Sequence, residues 1–79
     1  MATVTEIVPG IVASVEVAFG KPVFTGTRVP VALVLGQLAE GISEAEIEAE
    51  YDLTPDQIRA ALRYAAWLAG QELVRVRAS

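Results

Sequence analysis

An α+β fold is predicted by three features: a change of hydrophobic period near residue 30, two helix-capping boxes eleven residues apart, and turn signals concentrated in the first third of the chain. One domain accounts for residues 1–79. It divides into a β-rich segment over 1–29, a trihelical unit over 30–70, and a strand or tail over 71–79.

Short strands are expected first. Ile7-Val8, Ile11-Val12-Ala13, Val15 with Val17, and Val23-Phe24 are β-branched or aromatic clusters, separated by Pro9-Gly10, Gly20-Lys21-Pro22 and Gly26. The alternation Val15-Glu16-Val17 has the period of a strand. Strands this short need a third strand, a helix or a second subunit.

Helix one is expected over Pro30 to Glu40. Proline suits the first helical position, Val31, Val34, Leu35 and Leu38 recur at three- and four-residue steps, and Gly41 fits a C-terminal cap. Helix two opens on a capping box, Ser43 with Glu46, and ends near Tyr51-Asp52. Helix three repeats the device with Thr54 and Gln57, carries Pro55 at its first position, and is expected to reach about Gly70. Its spacing places Ile58, Leu62, Ala65 and Ala69 on an inner side, with Arg59, Ala60, Arg63 and Trp67 opposite. Leu73-Val74-Arg75-Val76-Arg77 reads as an edge strand, or as helix three continuing through Gly70.

Composition narrows the function. The 79 residues contain neither cysteine nor histidine, which removes thiolate chemistry, the commonest general base and the commonest metal ligand. A net charge of −4 is not the footprint of an indiscriminate nucleic-acid binder. Neither a GxxxxGK[ST] nor a GxGxxG phosphate cradle is present. The chain is therefore expected to be no enzyme and to use no cofactor, metal or small-molecule substrate. With no export signal and no apolar run approaching the ~20 residues of a membrane span, the expected location is the cytoplasm. Hydrophobic residues make up 53%, above the usual ~45–50%, in a chain too short to bury much alone. A homodimer or higher homo-oligomer is the expected consequence.

Three helices with a tight turn before the last suggest a helix-turn-helix unit, in which the final helix enters the major groove. Gln57, Arg59 and Arg63 are then the candidate base readers. Arginines on an exposed helix are also ordinary solubilising residues, and the glutamates of helix two oppose phosphate. Trp67, on the arginine side, is either an anchor for another molecule or is covered by the N-terminal strands. Glu44 and Glu48 are candidate partner contacts, and Val15 and Val17 candidate dimer contacts. Lys21 and Arg28 flank a strand; a salt bridge from Arg28 to a carboxylate is the expected role of the latter.

The run Gly20-Lys21-Pro22-Val23-Phe24-Thr25-Gly26-Thr27-Arg28-Val29-Pro30-Val31 resembles the GKPxIxGTRIxV segment of the bacterial and archaeal domain-of-unknown-function family 433. Gly41-Ile42-Ser43 and Leu53 to Ala66 are similar to its GxS and LTxxxIxAALxYA blocks. The structural motif residues are Gly20, Lys21, Pro22, Gly26, Thr27 and Arg28. Ser14-Val15 and Ala18-Phe19 depart from the family's pattern. The resemblance implies a homeodomain-like trihelical unit and a role as a VapB-like antitoxin. The implied partners are a PIN-like ribonuclease toxin and an operator DNA. With nine residues after Gly70, a long inhibitory arm is not expected. The reading is an antitoxin-like binding module. The alternatives are a stand-alone helix-turn-helix DNA-binding regulator and a non-catalytic structural or interaction domain.

Overall fold

The computed structural model describes the backbone of residues 4–76 and the side chains of residues 4–71. Three antiparallel strands, β1 (Thr5–Val8), β2 (Ile11–Ala13) and β3 (Val23–Phe24), form a sheet in that order. Three helices follow: α1 (Val31–Ala39), α2 (Glu44–Tyr51) and α3 (Pro55–Val76).

Strands β1 and β2 are joined at Pro9-Gly10, with Val8 opposite Ile11. Gly10 has φ 91°, a conformation an L side chain adopts only with strain. The register shifts between Glu6 and Val8, which bends β1 as a bulge does. In the β2–β3 pair, Ile11 faces Phe24 and Val12 faces Val23. Side chains alternate across a sheet, so the two pairs lie on opposite faces. Ile11 and Phe24 enter the core with Val31, Val34, Ile47, Leu53, Ile58, Ala60 and Ala61. Val12 and Val23 face away from it.

The helices begin on the expected signals, and α1 and α2 also end on them. Pro30 is the residue before α1, and the Val31 N–H donates to the Pro22 carbonyl, tying the helix to the end of the motif loop. At the other end Gly41 has φ 90° and the Ile42 N–H reaches back to the Gln37 carbonyl, closing α1 as a glycine cap does. The second capping box forms in full and the first in half, Glu46 Oε1 accepting from the Ser43 hydroxyl (3.1 Å) and not from the Ser43 N–H. The Ser43 hydroxyl accepts from the Glu46 N–H (3.2 Å), and the Thr54 hydroxyl accepts from the Gln57 N–H (3.2 Å) while Gln57 Oε1 accepts from the Thr54 N–H (2.8 Å). Between them Asp52 takes the left-handed conformation, φ 58°, and the Leu53 N–H bonds to the Glu48 carbonyl. This packs α3 against α2 within three residues and buries Leu53. Gln37 Nε2 donates to the Tyr51 hydroxyl and holds α1 to α2.

Three expectations are corrected. Residues 73–76 are helical: α3 runs through Gly70 to Val76, so the C-terminal strand does not form there, and Arg77 lies outside the described residues. A glycine inside a helix costs only about 1 kcal/mol, less than stranding an edge with no sheet to join. Val15-Glu16-Val17 is a turn and not a strand. The Val17 N–H closes onto the Ser14 carbonyl (3.0 Å), and the Ser14 hydroxyl captures the Glu16 N–H (3.3 Å), offering the backbone a local partner in place of a ladder. The inner side of α3 is centred on Ala61. Ala60 and Ala61 are buried and Leu62 is 45% exposed. The β1–β2 turn comes so close that a Cβ on Gly10 would lie 3.1 Å from Ala60 Cβ. Only small residues permit that approach.

Gly10→Ala should therefore lower stability by about 2 kcal/mol through left-handed strain and crowding. For a domain this size that is a fall in melting temperature on the order of 10 °C, measured by thermal or urea denaturation.

Candidate interaction surfaces

The three candidate DNA readers share α3 but each already holds a partner within the chain. Gln57 closes its capping box. Arg59 pairs with Asp56 at 2.8 Å on an open surface. Arg63 Nη1 donates to the Pro9 carbonyl (3.3 Å), clamping the β1–β2 turn to the helix. These bonds are weak individually; an exposed i, i+3 ion pair contributes well under 1 kcal/mol. Together they hold the three side chains along the helix surface.

Past Tyr64 and Ala65 the helix leaves the body: residues 66–71 are all exposed. A 22-residue helix is about 33 Å long, more than this core can cover. The radius of gyration, 13.5 Å, exceeds the roughly 12 Å of a compact chain of this length. Trp67 and Leu68 stand on this outer part, and Leu62, 45% exposed, lies just before it. Trp67 is 43% exposed and its ring tilts against Tyr64, 6.0 Å between centroids. The N-terminal strands do not cover it, because Arg63 and Ala60 fix them one to two turns nearer the start of the helix. From Tyr64 to Gln71 this stretch carries no charge.

Helix α2 presents carboxylates around most of its circumference. Glu44, Glu46 and Glu50 are exposed and Glu48 is half-buried, while Ile47 alone on this helix is fully buried. Glu44 and Glu46 sit at the positive end of the helix dipole, which steadies them without a cation.

The motif residues build a loop between β3 and α1. Gly26 has φ 79°. The Thr27 hydroxyl donates to the Phe24 carbonyl (2.9 Å) and accepts from the Val29 N–H (3.0 Å), stapling both sides of the loop. Pro22 receives the start of α1 on its carbonyl. Gly20, with φ 86°, ends the preceding turn, and the Lys21 N–H bonds to the Ala18 carbonyl. Arg28 is exposed and makes no salt bridge among the described residues, contrary to expectation. It lines a groove of about 390 Å³ with Val4, Val12, Ser14, Val17, Val23 and Thr27. The groove lies on the sheet face turned away from the helices.

Sequence reasoning passed over the residue that stands out most. Ser14 to Lys21 form two consecutive tight turns, each with an apolar residue near its tip: Val15, 77% exposed, and Phe19, 96% exposed. Ala18 and Phe19 are left-handed, φ 52° and 58°. Each costs about 1–2 kcal/mol as an L residue in that region. Only an aromatic outside every strand and helix period could have flagged Phe19.

Residues 11–65, from β2 to the point where α3 leaves the body, match the family described as "Protein of unknown function (DUF433)". The chain belongs to the DUF433 family. A curated relative in Mycobacterium tuberculosis (strain ATCC 25618 / H37Rv), named "Putative antitoxin VapB45", is 48% identical over 44 residues, 56% of this chain and 18% of the relative. The DUF433 chain thus aligns with less than a fifth of that protein's length. No solved structure matches it. Trp67 and Leu68 lie beyond the matched residues. No helix among the described residues is long and apolar enough to cross a membrane.

Two variants separate framework from surface. Thr27→Val removes both staple bonds and should destabilise the domain by about 1–3 kcal/mol. Trp67→Ala, losing a half-exposed ring and its contact with Tyr64, should cost less than about 1.5 kcal/mol. Urea midpoints of the two proteins, measured side by side, check the order.

Proposed function

We propose that this DUF433 chain is an antitoxin-like protein-binding module, acting in the cytoplasm as a homodimer, that neutralises a PIN-like ribonuclease toxin. The observation that carries the reading is the uncharged outer part of α3, from Tyr64 to Gln71, where Trp67 and Leu68 remain 43% and 41% exposed. Tryptophan flanked by leucines is the composition of an interface anchor, and it sits on a rigid helix that is already ordered. The name of the Mycobacterium tuberculosis relative supports an antitoxin-like role.

The mechanism is masking. A nuclease holds RNA through a cationic surface, and a carboxylate-rich helix complements such a surface and steers the encounter. Glu44 and Glu48 of α2 supply that charge, and the apolar part of α3 supplies the burial that slows release. No bond is made or broken. Self-association falls to the β-rich segment around Val15 and Val17.

Operator binding is the secondary role in this reading. Gln57, Arg59 and Arg63 would each have to leave a present partner to reach bases. That favours protein masking over a stand-alone regulator. A purely structural accessory domain would leave the exposed Trp67 without a purpose.

The test is co-expression with PIN-like nucleases of the native host. The wild-type chain should co-purify with one of these nucleases and suppress its RNA cleavage. Trp67→Ala should weaken the complex by about thirtyfold, in line with roughly 2 kcal/mol for an interface anchor. Glu44→Lys with Glu48→Lys should slow association and flatten its salt dependence. Full inhibition by the Trp67→Ala protein would move the contact elsewhere; no complex at all with the wild-type chain would reject the reading.

A further inference from the structure

We infer that the outer face of the sheet is a knob-and-groove contact between two copies of this chain, with Phe19 of each copy seated in the partner copy's groove. This rests on the homodimer of the preceding section and names its contact. Phe19 is 96% exposed at the tip of a hydrogen-bonded turn. Ala18 and Phe19 are both left-handed, and Phe19 gains no burial in return for that conformation. An aromatic ring presented this way by a strained turn is a preorganised anchor.

The receptor lies on the same chain. The groove lined by Val4, Val12, Val17 and Val23 is an open cleft of about 390 Å³, larger than a phenyl ring, with Val23 itself buried. Arg28 and Thr27 stand on its wall. A guanidinium there can lie over the face of an inserted ring, a favourable cation–π arrangement. Only Ala18 separates the knob from Val17 of the groove wall. About a two-fold axis both insertions would be made at once, and such an assembly closes at two copies.

Charge selects the same face. Within residues 1–30 the charged residues are Glu6, Glu16, Lys21 and Arg28, two of each sign. The helical remainder carries the whole net charge of −4, so two copies meeting helix to helix would repel. Meeting sheet to sheet, each copy offers both signs to the other. Two inserted Phe19 rings form the apolar centre of this contact, and Val4, 57% exposed on the groove wall, adjoins it.

The experiment is sedimentation of the full chain alone across a concentration series. The wild type should dimerise in the micromolar range. Phe19→Gly should weaken dimerisation at least thirtyfold while leaving the melting temperature of the monomer unchanged or higher, because glycine relieves the left-handed strain. Val4→Asp, at an exposed position, should weaken it at least tenfold by placing a charge on the groove wall. Mixed together, the two variants should form a heterodimer tighter than either homodimer. One intact Phe19 then meets one intact groove. A simple Phe19–Phe19 stack predicts no such rescue, and its absence would overturn the contact. So would a wild-type monomer at high micromolar concentration, or a Phe19→Gly protein that still dimerises but loses nuclease binding. The nuclease is absent from the sedimentation experiment. A monomeric wild type that still captures the toxin through Trp67 therefore refutes this contact and leaves the masking reading standing.

Discussion

The structure depends on one close approach. The β1–β2 turn lies directly on α3 at Gly10 and Ala60, and Arg63 holds the turn there through the Pro9 carbonyl. Everything else follows from how tightly those two pieces can meet. The approach seats Ile11 and Phe24 over Val31, Val34 and Ile58, which closes the core. It also fixes where on α3 the sheet stops. Beyond that point the described residues of α3 are exposed, Trp67 and Leu68 among them.

The same constraint explains the division of labour across the surface. A small domain can cover only so much of itself: this one buries Ile11, Phe24, Ile47 and Ile58, keeps Ala60 and Ala61 where the turn meets α3, and leaves other large apolar residues exposed at both ends. At one end are Leu62, Trp67 and Leu68 on a rigid helix. At the other are Val15 and Phe19 on strained turns beside a groove. The two ends differ in charge setting: the first shares the domain with an acidic helix, the second belongs to an electrically balanced sheet. In the proposed reading, attraction to a cationic partner and attraction to an identical copy fall in different places, so the two contacts would not compete for one surface.

The motif loop is architectural in the same economy. Thr27 staples the loop, Gly26 allows its bend, and Pro22 receives the start of α1. Its cations are peripheral to that task, and Arg28 is free to serve the groove.

The helical unit was legible in the chain because its signals are local. Serine, threonine, glutamate and glutamine at fixed spacing cap a helix wherever it sits, and Gly41 ends one for the same reason. The alternation that suggested a strand at Val15 was defeated by an equally local rival, the hydroxyl of Ser14. Which side of α3 faces inward was not local. Leu62 is the better hydrophobe, yet Ala60 and Ala61 are buried, because the space left by an approaching turn is decided by backbone geometry and not by side-chain hydrophobicity. For the same reason the sequence determined that apolar surface would remain. Only the tertiary structure decided that it would be Phe19 and a groove on one face and Trp67 on an outlying helix: both depend on where the sheet stops covering its neighbours.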